Sequence, residues 1–330
     1  MTAARLIAVD DTTTVASLDA VPCALVIGNF DGVHLGHQAV LREAVADARA
    51  RGLSPCVLTF APHPAGVVGR GAPPLLTTIE RRAELVGELG VERMYVRRFD
   101  LAFAAWEPAR FASELVVQTL GAKLVGVGAN FRFGAKRAGE LTLLRELGEK
   151  LGFDVHVHAV ASDAVGRYSS TRAREAVRMG DLEQVRHVLG RAHALSGVVV
   201  HGNERGRTIG VPTANLEEVP ELLPAHGVYA VTVDRSQSDG DGEGTREGGP
   251  HSFVPLAGGI TNIGVRPTVG GGKLSIETFL FDFADDLYGA RLRVHLVARI
   301  RDERKFGSLD ELKEQIARDV AAARAALAAT

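Results

Sequence analysis

The stretch that most constrains this chain reads Gly28-Asn29-Phe30-Asp31-Gly32-Val33-His34-Leu35-Gly36-His37. The apolar run Cys23–Ile27 before it predicts a buried strand. After it, Val40, Leu41, Ala44, Val45 and Ala48 recur at helical spacing and predict a helix over residues 38–51. The chain must therefore pass from strand to helix through this one loop. Its glycines permit close backbone approach to a ligand. His34 and His37 are three apart and share a face if the helix starts there. The N–H groups of a helix start favour phosphate. No Gly-Lys-Ser/Thr follows, so this is not a Walker loop. In isolation, a βα turn with two surface histidines would read the same way.

The strand-then-helix rhythm continues. Residues 6–9 predict an edge strand, and 57–60 a core strand. That strand must stop at Ala61-Pro62-His63-Pro64, where two prolines forbid its extension. A helix is expected over 79–89, a strand over 92–96, a helix over 108–120 opened by Pro108, and a third core strand over 123–128. Asn130-Phe131-Arg132-Phe133-Gly134 follows it. Alternation at this spacing is the pattern of parallel βαβ units. Ligands bind at the strand ends of such sheets. Loops carrying His34 and His37, His63, and Asn130 with Arg132 all fall there. A strand at 155–160 then leads to Ser169-Ser170-Thr171-Arg172-Ala173-Arg174 and a helix over 171–179. Its Ser and Thr can cap the helix, its N–H groups can hold anions, and Arg172 and Arg174 add forked donors.

The first of these strings resembles the His-x-Gly-His signature of nucleotidylyltransferases. With residues 59–64, 127–134 and 169–174, in that order, it resembles the adenylyltransferase half of the bacterial bifunctional riboflavin kinase/FMN adenylyltransferase (FAD synthetase) family. The family motif Ser-Ser-Thr-x-x-Arg falls on Ser169, Ser170, Thr171 and Arg174. The resemblance implies an α/β nucleotidylyltransferase-type parallel sheet for this half.

A short helix over 181–190 ends at glycine, and beyond it the pattern changes. Short β-prone segments at 198–200, 228–233, 256–263, 273–283 and 292–300 are separated by glycine-rich turns. They predict a small antiparallel barrel or sandwich. The boundary falls near residue 190, giving domains 1–190 and 191–330. At the end, Ser308 and Glu311 form a capping box, and Leu309, Leu312, Ile316 and Val320 give the C-terminal helix an apolar face to pack on the barrel. Residues 236–250 are Ser, Gly, Asp and Glu with almost nothing apolar, which reads as a flexible hairpin tip.

Residues 202–215 combine three glycines, Arg205 and Arg207 with Pro212-Thr213-Ala214-Asn215, a plausible phosphate loop followed by oxygen-bearing side chains. The string resembles the Gly-x-Pro-Thr-Ala-Asn signature of the flavokinase half of the same family, a small antiparallel β-barrel with a C-terminal helix. Residues 258–268, Ile276-Glu277-Thr278-Phe279 and Asp286-Leu287-Tyr288-Gly289 also match it. Two departures stand out. Val211 replaces the usual Phe, and Phe279 stands where many members have His.

At 330 residues, two domains are the natural expectation. A net charge of −2 does not call for a nucleic-acid partner. The apolar runs are far too short for a membrane span, and no leader pattern opens the sequence, so the reading is cytoplasmic. Composition leaves self-association open. Cys23 and Cys56 fall in strand-like segments and should be buried free thiols. There is no Cys-x-x-Cys, so a zinc site would need ligands from His.

The resemblance implies partners that are small-molecule nucleotides and flavins. Riboflavin and ATP give FMN; FMN and ATP give FAD and pyrophosphate. It implies Glu277 as the base for the ribityl hydroxyl, with Thr213 and Asn215 organising Mg²⁺. Gly202, Arg207 and Gly210 would carry nucleotide phosphates. His34 and His37 would contact the reacting phosphates of the second reaction. Ser169, Ser170, Thr171 and Arg174 would hold the pyrophosphate side. Gly28, Asn29, Phe30, Asp31, His63, Asn130 and Arg132 would shape that site. Two other readings share these motifs: a chain with only one of the activities, and a flavin-binding module without ATP turnover.

Overall fold

Alternate residues of strand β2 (Cys23–Ile27) enter different cores. Cys23, Leu25 and Ile27 join one apolar cluster, and Val26 joins another. A strand buried on both faces belongs in a parallel sheet with helices on each side. The computed structural model describes residues 3–14, 18, 21–201, 211–237, 252–266 and 273–329. It divides into two compact units, residues 1–74 with 79–169, and residues 75–78 with 170–330.

The first unit is that parallel sheet. Its strands are β1 (Arg5–Val9), β2, β3 (Ser54–Ala61), β4 (Arg93–Arg98), β5 (Ala122–Gly128) and β6 (Asp154–His158), in the spatial order β1-β4-β3-β2-β5-β6. The strand read from residues 6–9 lies at an edge, as expected. One face is covered by α1 (Leu35–Ala50) and, after the short α2 (Pro64–Val67), by α3 (Ile79–Glu88), through Leu41, Val45, Ala83 and Val86. Strand β2 is flanked by β3 on one side and β5 on the other. The chain reverses its direction of winding there, which opens a crevice beyond the strand ends.

The other face differs from the sequence reading in two places. The helix expected over 108–120 opens as α5 (Pro108–Arg110), after the short α4 (Leu101–Ala104), and continues as a π-helix, Phe111–Thr119. The Leu120 N–H donates to Leu115 O at 3.0 Å, five residues back. The Thr119 hydroxyl reinforces the wide turn by donating to Glu114 O at 2.7 Å. Such π turns gather at functional sites. Helix α6 (Leu141–Leu151) was not expected at all. It buries Leu144 fully and ends at Gly152, whose φ of 79° lies in the left-handed region.

A short antiparallel pair, β7 (Ser162–Asp163) with β8 (Gly166–Arg167), ends the first unit. The second unit begins with α7 (Ser170–Met179) and α8 (Leu182–Leu189). Six antiparallel strands follow: β9 (His193–Val200), β10 (Ala214–Glu217), β11 (Gly227–Ser236), β12 (Phe253–Arg266), β13 (Lys273–Leu280) and β14 (Arg291–Arg301). They close into a barrel in the order β10-β13-β12-β11-β14-β9. The resemblance to the flavokinase half implied this barrel. Helix α9 (Leu309–Ala328) is capped as expected, with Ser308 accepting from the Glu311 N–H at 3.2 Å. Val320, Ala323 and Leu327 pack against Val228, Ala230 and Ile260 on the outer wall of the barrel. Among the described residues no helix is long and apolar enough to cross a membrane. Cys23 and Cys56 are free and buried.

Candidate active sites

The loop leaving β2 is held in a costly backbone conformation. Phe30, Gly32 and Val33 all have positive φ, at 50°, 81° and 36°. For a β-branched residue such as Val33 this is a real penalty, and it persists only where surroundings impose it. Several contacts impose it here. The Val33 N–H donates to Phe30 O at 3.0 Å, and the Gln38 side chain donates to Val33 O at 3.0 Å. Beneath the loop, Asp31 pairs with Arg82 at 3.3 Å, both side chains being buried. Arg82 also donates to Thr59 Oγ1 at 3.4 Å, and Thr59 donates to Asn29 O at 3.0 Å. Asp31 thus anchors the loop from below and is absent from the cavity wall described next.

The anchored loop delivers His34 to the head of α1. Its Nδ1 accepts the His37 N–H at 3.2 Å. The two imidazoles stack with centroids 3.6 Å apart and planes at 20°. Gly36 makes this possible, because a Cβ there would lie 3.1 Å from the His34 ring and 3.2 Å from Tyr168 Cβ. His63 caps α2, accepting from the Ala65 N–H at 3.2 Å, and its Nε2 lies 3.2 Å from Asn29 Nδ2. That contact joins the loop after β3 to the loop after β2.

These strand ends enclose a cavity of about 640 Å³. Gly28, Asn29, Phe30, His34 and His37 line it, and so do Asn130, Arg132 and Ser169. Arg132 is exposed and pairs with Glu140 at 3.2 Å. The opposite wall is aromatic, and sequence reading missed it. Phe103 packs at 5.5 Å from Phe99 and 5.1 Å from Trp106, while Phe131 stacks on Phe133 at 5.6 Å. Phe60 and Phe111 complete the wall, the latter from the π-helix. The buried guanidinium of Arg97 lies 4.3 Å over the Phe103 ring and is paired with Asp11. Imidazoles and a helix start on one side and aromatic faces on the other suit a ligand that joins an anionic group to a flat ring.

Ser170, Thr171 and Arg174 are described with the second unit, on α7. Ser170 opens the helix, Thr171 is exposed, and Arg174 is buried beside Ala173 and Val177.

On the barrel, Glu277 sits mid-strand in β13. Ile276 and Thr278 beside it are buried, so Glu277 points to the opposite, outer face. Its register partners are Asn215 on β10 and Asn262 on β12. Directly opposed residues share a face. Ser275 donates its hydroxyl to Glu277 Oε1 at 2.8 Å. The outer face is not solvent here, because α9 covers it. Glu277, Asn262 and Phe279 line a cavity of about 320 Å³ with Leu312, Ile316 and Asp319 of that helix. Asp319 is buried and takes a two-pronged hydrogen bond from Arg301, with Nε and Nη2 at 2.9 and 2.8 Å from Oδ2. The pair clamps α9 to β14.

A second cavity of about 220 Å³ is lined by Pro212, Thr213 and Asn215 with Asp285, Asp286 and Tyr288. Thr213 borders both cavities. The Asn215 amide nitrogen donates to Thr213 O at 3.3 Å. Gly202, Arg207 and Gly210 lie outside the described residues.

Comparison with known proteins follows the same division. A family model described as FAD synthetase matches residues 17–172, and one described as riboflavin kinase matches residues 189–327. A protein of Escherichia coli K12 described as bifunctional riboflavin kinase/FMN adenylyltransferase is 43% identical over 303 residues, covering 92% of each chain. A Bacillus subtilis 168 protein of the same description is 36% identical over 302 residues, 89% of each chain. Among solved structures, one described as a macrolide-efflux protein from Streptococcus pneumoniae superposes with a TM-score of 0.79 at 29% identity, covering 95% of this chain and 97% of that one.

Proposed function

The chain belongs to the bifunctional riboflavin kinase/FMN adenylyltransferase family, and from that premise we propose how its two cavities divide the work. It phosphorylates riboflavin with ATP to FMN and joins FMN to the adenylyl group of a second ATP, giving FAD and pyrophosphate. Residues 1–190 form the adenylyltransferase domain and 191–330 the kinase domain, a division supported by the spans of the two family models.

In the kinase domain, Glu277 takes the proton from the terminal ribityl hydroxyl. The resulting oxygen attacks the γ-phosphorus of ATP, and ADP leaves. A weak, neutral nucleophile needs such a base. Ser275 holds one carboxylate oxygen in place by its 2.8 Å hydrogen bond. Thr213 and Asn215 offer oxygen atoms of the kind Mg²⁺ takes, on a segment bordering the smaller cavity, and the donor set fits that ion. Bound there, Mg²⁺ would neutralise charge on the transferring phosphate. Gly202, Arg207 and Gly210 carry the nucleotide phosphates, as the family resemblance implies.

In the adenylyltransferase domain, a phosphate oxygen of FMN attacks the α-phosphorus of ATP and pyrophosphate leaves. The nucleophile is already an anion, so no strong base is required. The barrier is the approach of two anions. His34, His37 and the N–H groups opening α1 lower it by meeting the developing charge. Ser169, Ser170, Thr171 and Arg174 hold the departing pyrophosphate. The aromatic wall of Phe103, Phe131 and Phe133 offers ring faces to the flavin. Gly28, Asn29 and Phe30 shape the turn, Asp31 and His63 fix it, and Asn130 and Arg132 border the ligand. The ATP requirement of both half-reactions supports a cytoplasmic setting.

The observation carrying this division is that the large cavity is lined by residues between 26 and 169 and the cavity beside Glu277 by residues between 211 and 319. A time course with riboflavin, ATP and Mg²⁺ tests it. FMN should appear first and FAD after it. FMN without FAD would leave a kinase alone, and no ATP turnover would leave a flavin-binding module.

A further inference from the structure

Two histidines of β6 and one carboxylate of α1 meet behind the wall of the large cavity. His156 and His158 are two apart on one strand and so share a face. Their rings stack at 4.5 Å with planes 28° apart. Glu43 reaches both of them. Its Oε2 lies 3.0 Å from His158 Nδ1, and its Oε1 lies 3.1 Å from His156 Nε2. One ligand atom from each residue can be chosen so that all lie within 4.8 Å of one another. We propose that Glu43, His156 and His158 form a binding site for a divalent ion of the zinc class, which clamps α1 to β6.

The donor set points to this chemistry. Two imidazole nitrogens and one carboxylate oxygen are the ligands of three-coordinate protein sites for Zn²⁺, which complete the shell with water. Imidazole also selects such ions over Mg²⁺, which prefers oxygen alone. Ligand atoms at about 2.1 Å from a tetrahedral ion stand roughly 3.4 Å apart. The two histidines contact different oxygens of Glu43, at 3.0 and 3.1 Å, and one donor atom from each residue falls within a 4.8 Å spread. Small rotations of the carboxylate and the rings would bring three donors to that spacing.

The surroundings hold the ligands in place. The other ring nitrogen of His156 faces Asp47 at 3.9 Å, and Asp47 is itself held by Arg51 at 2.9 Å. A carboxylate behind a ligating histidine orients the ring and raises its basicity. His158 is fully buried, seated over Gly126, where a Cβ would lie 2.7 Å from its Nε2. Among the described residues that Nε2 has no hydrogen-bond partner, so the polar contact of the ring is made by Nδ1 in the cluster. Glu43 and His156 are partly exposed and give an ion its route in. His158 also borders the large cavity, while Glu43 and His156 do not. The ion would therefore sit behind the cavity wall and would not touch a ligand inside it.

The test uses the whole chain, stripped with a chelator and dialysed against Zn²⁺ in the presence of excess Mg²⁺. About one Zn²⁺ per chain should remain bound, with a rise in the thermal midpoint. Glu43→Gln and His156→Asn should each weaken binding by about 100-fold, and Asp47→Asn by about 10-fold. The double change His34→Ala with His37→Ala should retain the ion. In the unaltered chain, Zn²⁺ should shift the imidazole NMR signals of His156 and His158, a readout that needs no variant to fold. Absence of bound Zn²⁺ in the parent would overturn the proposal. So would binding as tight as the parent's in Glu43→Gln and His156→Asn, or NMR shifts confined to His34 and His37. The first of these outcomes would leave a hydrogen-bonded His–Glu clamp only.

Discussion

In the parallel-sheet unit the candidate site begins where strands end, and in the barrel it lies on strands that continue. The first is built from loops. Its backbone visits left-handed conformations at Phe30, Gly32 and Val33, and a buried ion pair at Asp31 and Arg82 holds it there. The second is built from regular β13, whose alternation places Glu277 outward, and from a helix laid over that face. Pre-organisation therefore has different sources. Loop strain positions two imidazoles in one unit. The docking of α9, fastened by Arg301 and Asp319, makes a cavity of an outer wall in the other.

The widest separation between the two should come from the imidazole pair. His34→Ala with His37→Ala should lower adenylylation of supplied FMN by about 1,000-fold, from lost charge stabilisation, with riboflavin phosphorylation unchanged. Equal loss of both activities, with the circular dichroism spectrum preserved, would erase the distinction.

The clamp on the barrel side comes next. Asp319→Ala leaves the Arg301 guanidinium without its buried partner and should destabilise the protein by about 3 kcal/mol. Because Asp319 also borders the Glu277 cavity, kinase KM should rise while FMN adenylylation holds. Urea unfolding and the two separate assays check this, and an unchanged midpoint would remove α9 docking as the source of order.

A smaller change sharpens the loop side. Gly36→Ala places a methyl group 3.1 Å from the His34 ring while improving helix propensity. Stability should hold, and adenylylation kcat should fall roughly 10- to 100-fold through misplacement. A parental kcat would show that the stacked geometry is not needed.

The smallest effect is a pH dependence of the barrel. Burial raises the Glu221 pKa, outweighing the hydrogen bond from the Ser196 N–H at 3.1 Å. A carboxyl raised in the folded state contributes stability below its unfolded pKa and loses it as pH rises through the folded value. Glu221→Gln keeps an acceptor for Ser196 and removes that titration. The variant should therefore gain on the parent as pH rises above the ordinary carboxylate range, measured by urea unfolding across pH. Parallel pH curves for variant and parent would show that Glu221 is not so perturbed.

The same contrast explains what could be read from the chain. The loop site needs glycine and histidine at fixed places, so residues 28–37 announce it. The alternation of strands with helices announces the sheet around it. The aromatic wall left no such trace. Phe60, Phe103, Phe111 and Phe133 are far apart in sequence, and each reads as an ordinary core residue until the strand ends converge. Helix α6 had its signal in Leu141, Leu144, Leu147 and Leu151, which went unread. The π-helix had none, since periodicity over residues 108–120 matches an α-helix as well. In the barrel, Glu277 stood out as a charge in an apolar strand. That its outward face is roofed by α9 depends on the Arg301–Asp319 pair, which joins residues 18 positions apart and has no local pattern.

If two separate sites perform the two half-reactions, Glu277→Gln should silence one and spare the other. The change keeps the size of the side chain and removes its basic oxygen. Both half-reactions should be measured in one purified preparation, with riboflavin and with supplied FMN. Kinase kcat should fall roughly 100- to 10,000-fold while FMN adenylylation stays at the parental rate. A kinase kcat within about twofold of the parent, well short of a general-base loss, would remove Glu277 as the base, and an equal fall in both half-reactions would show that the two sites are not separate.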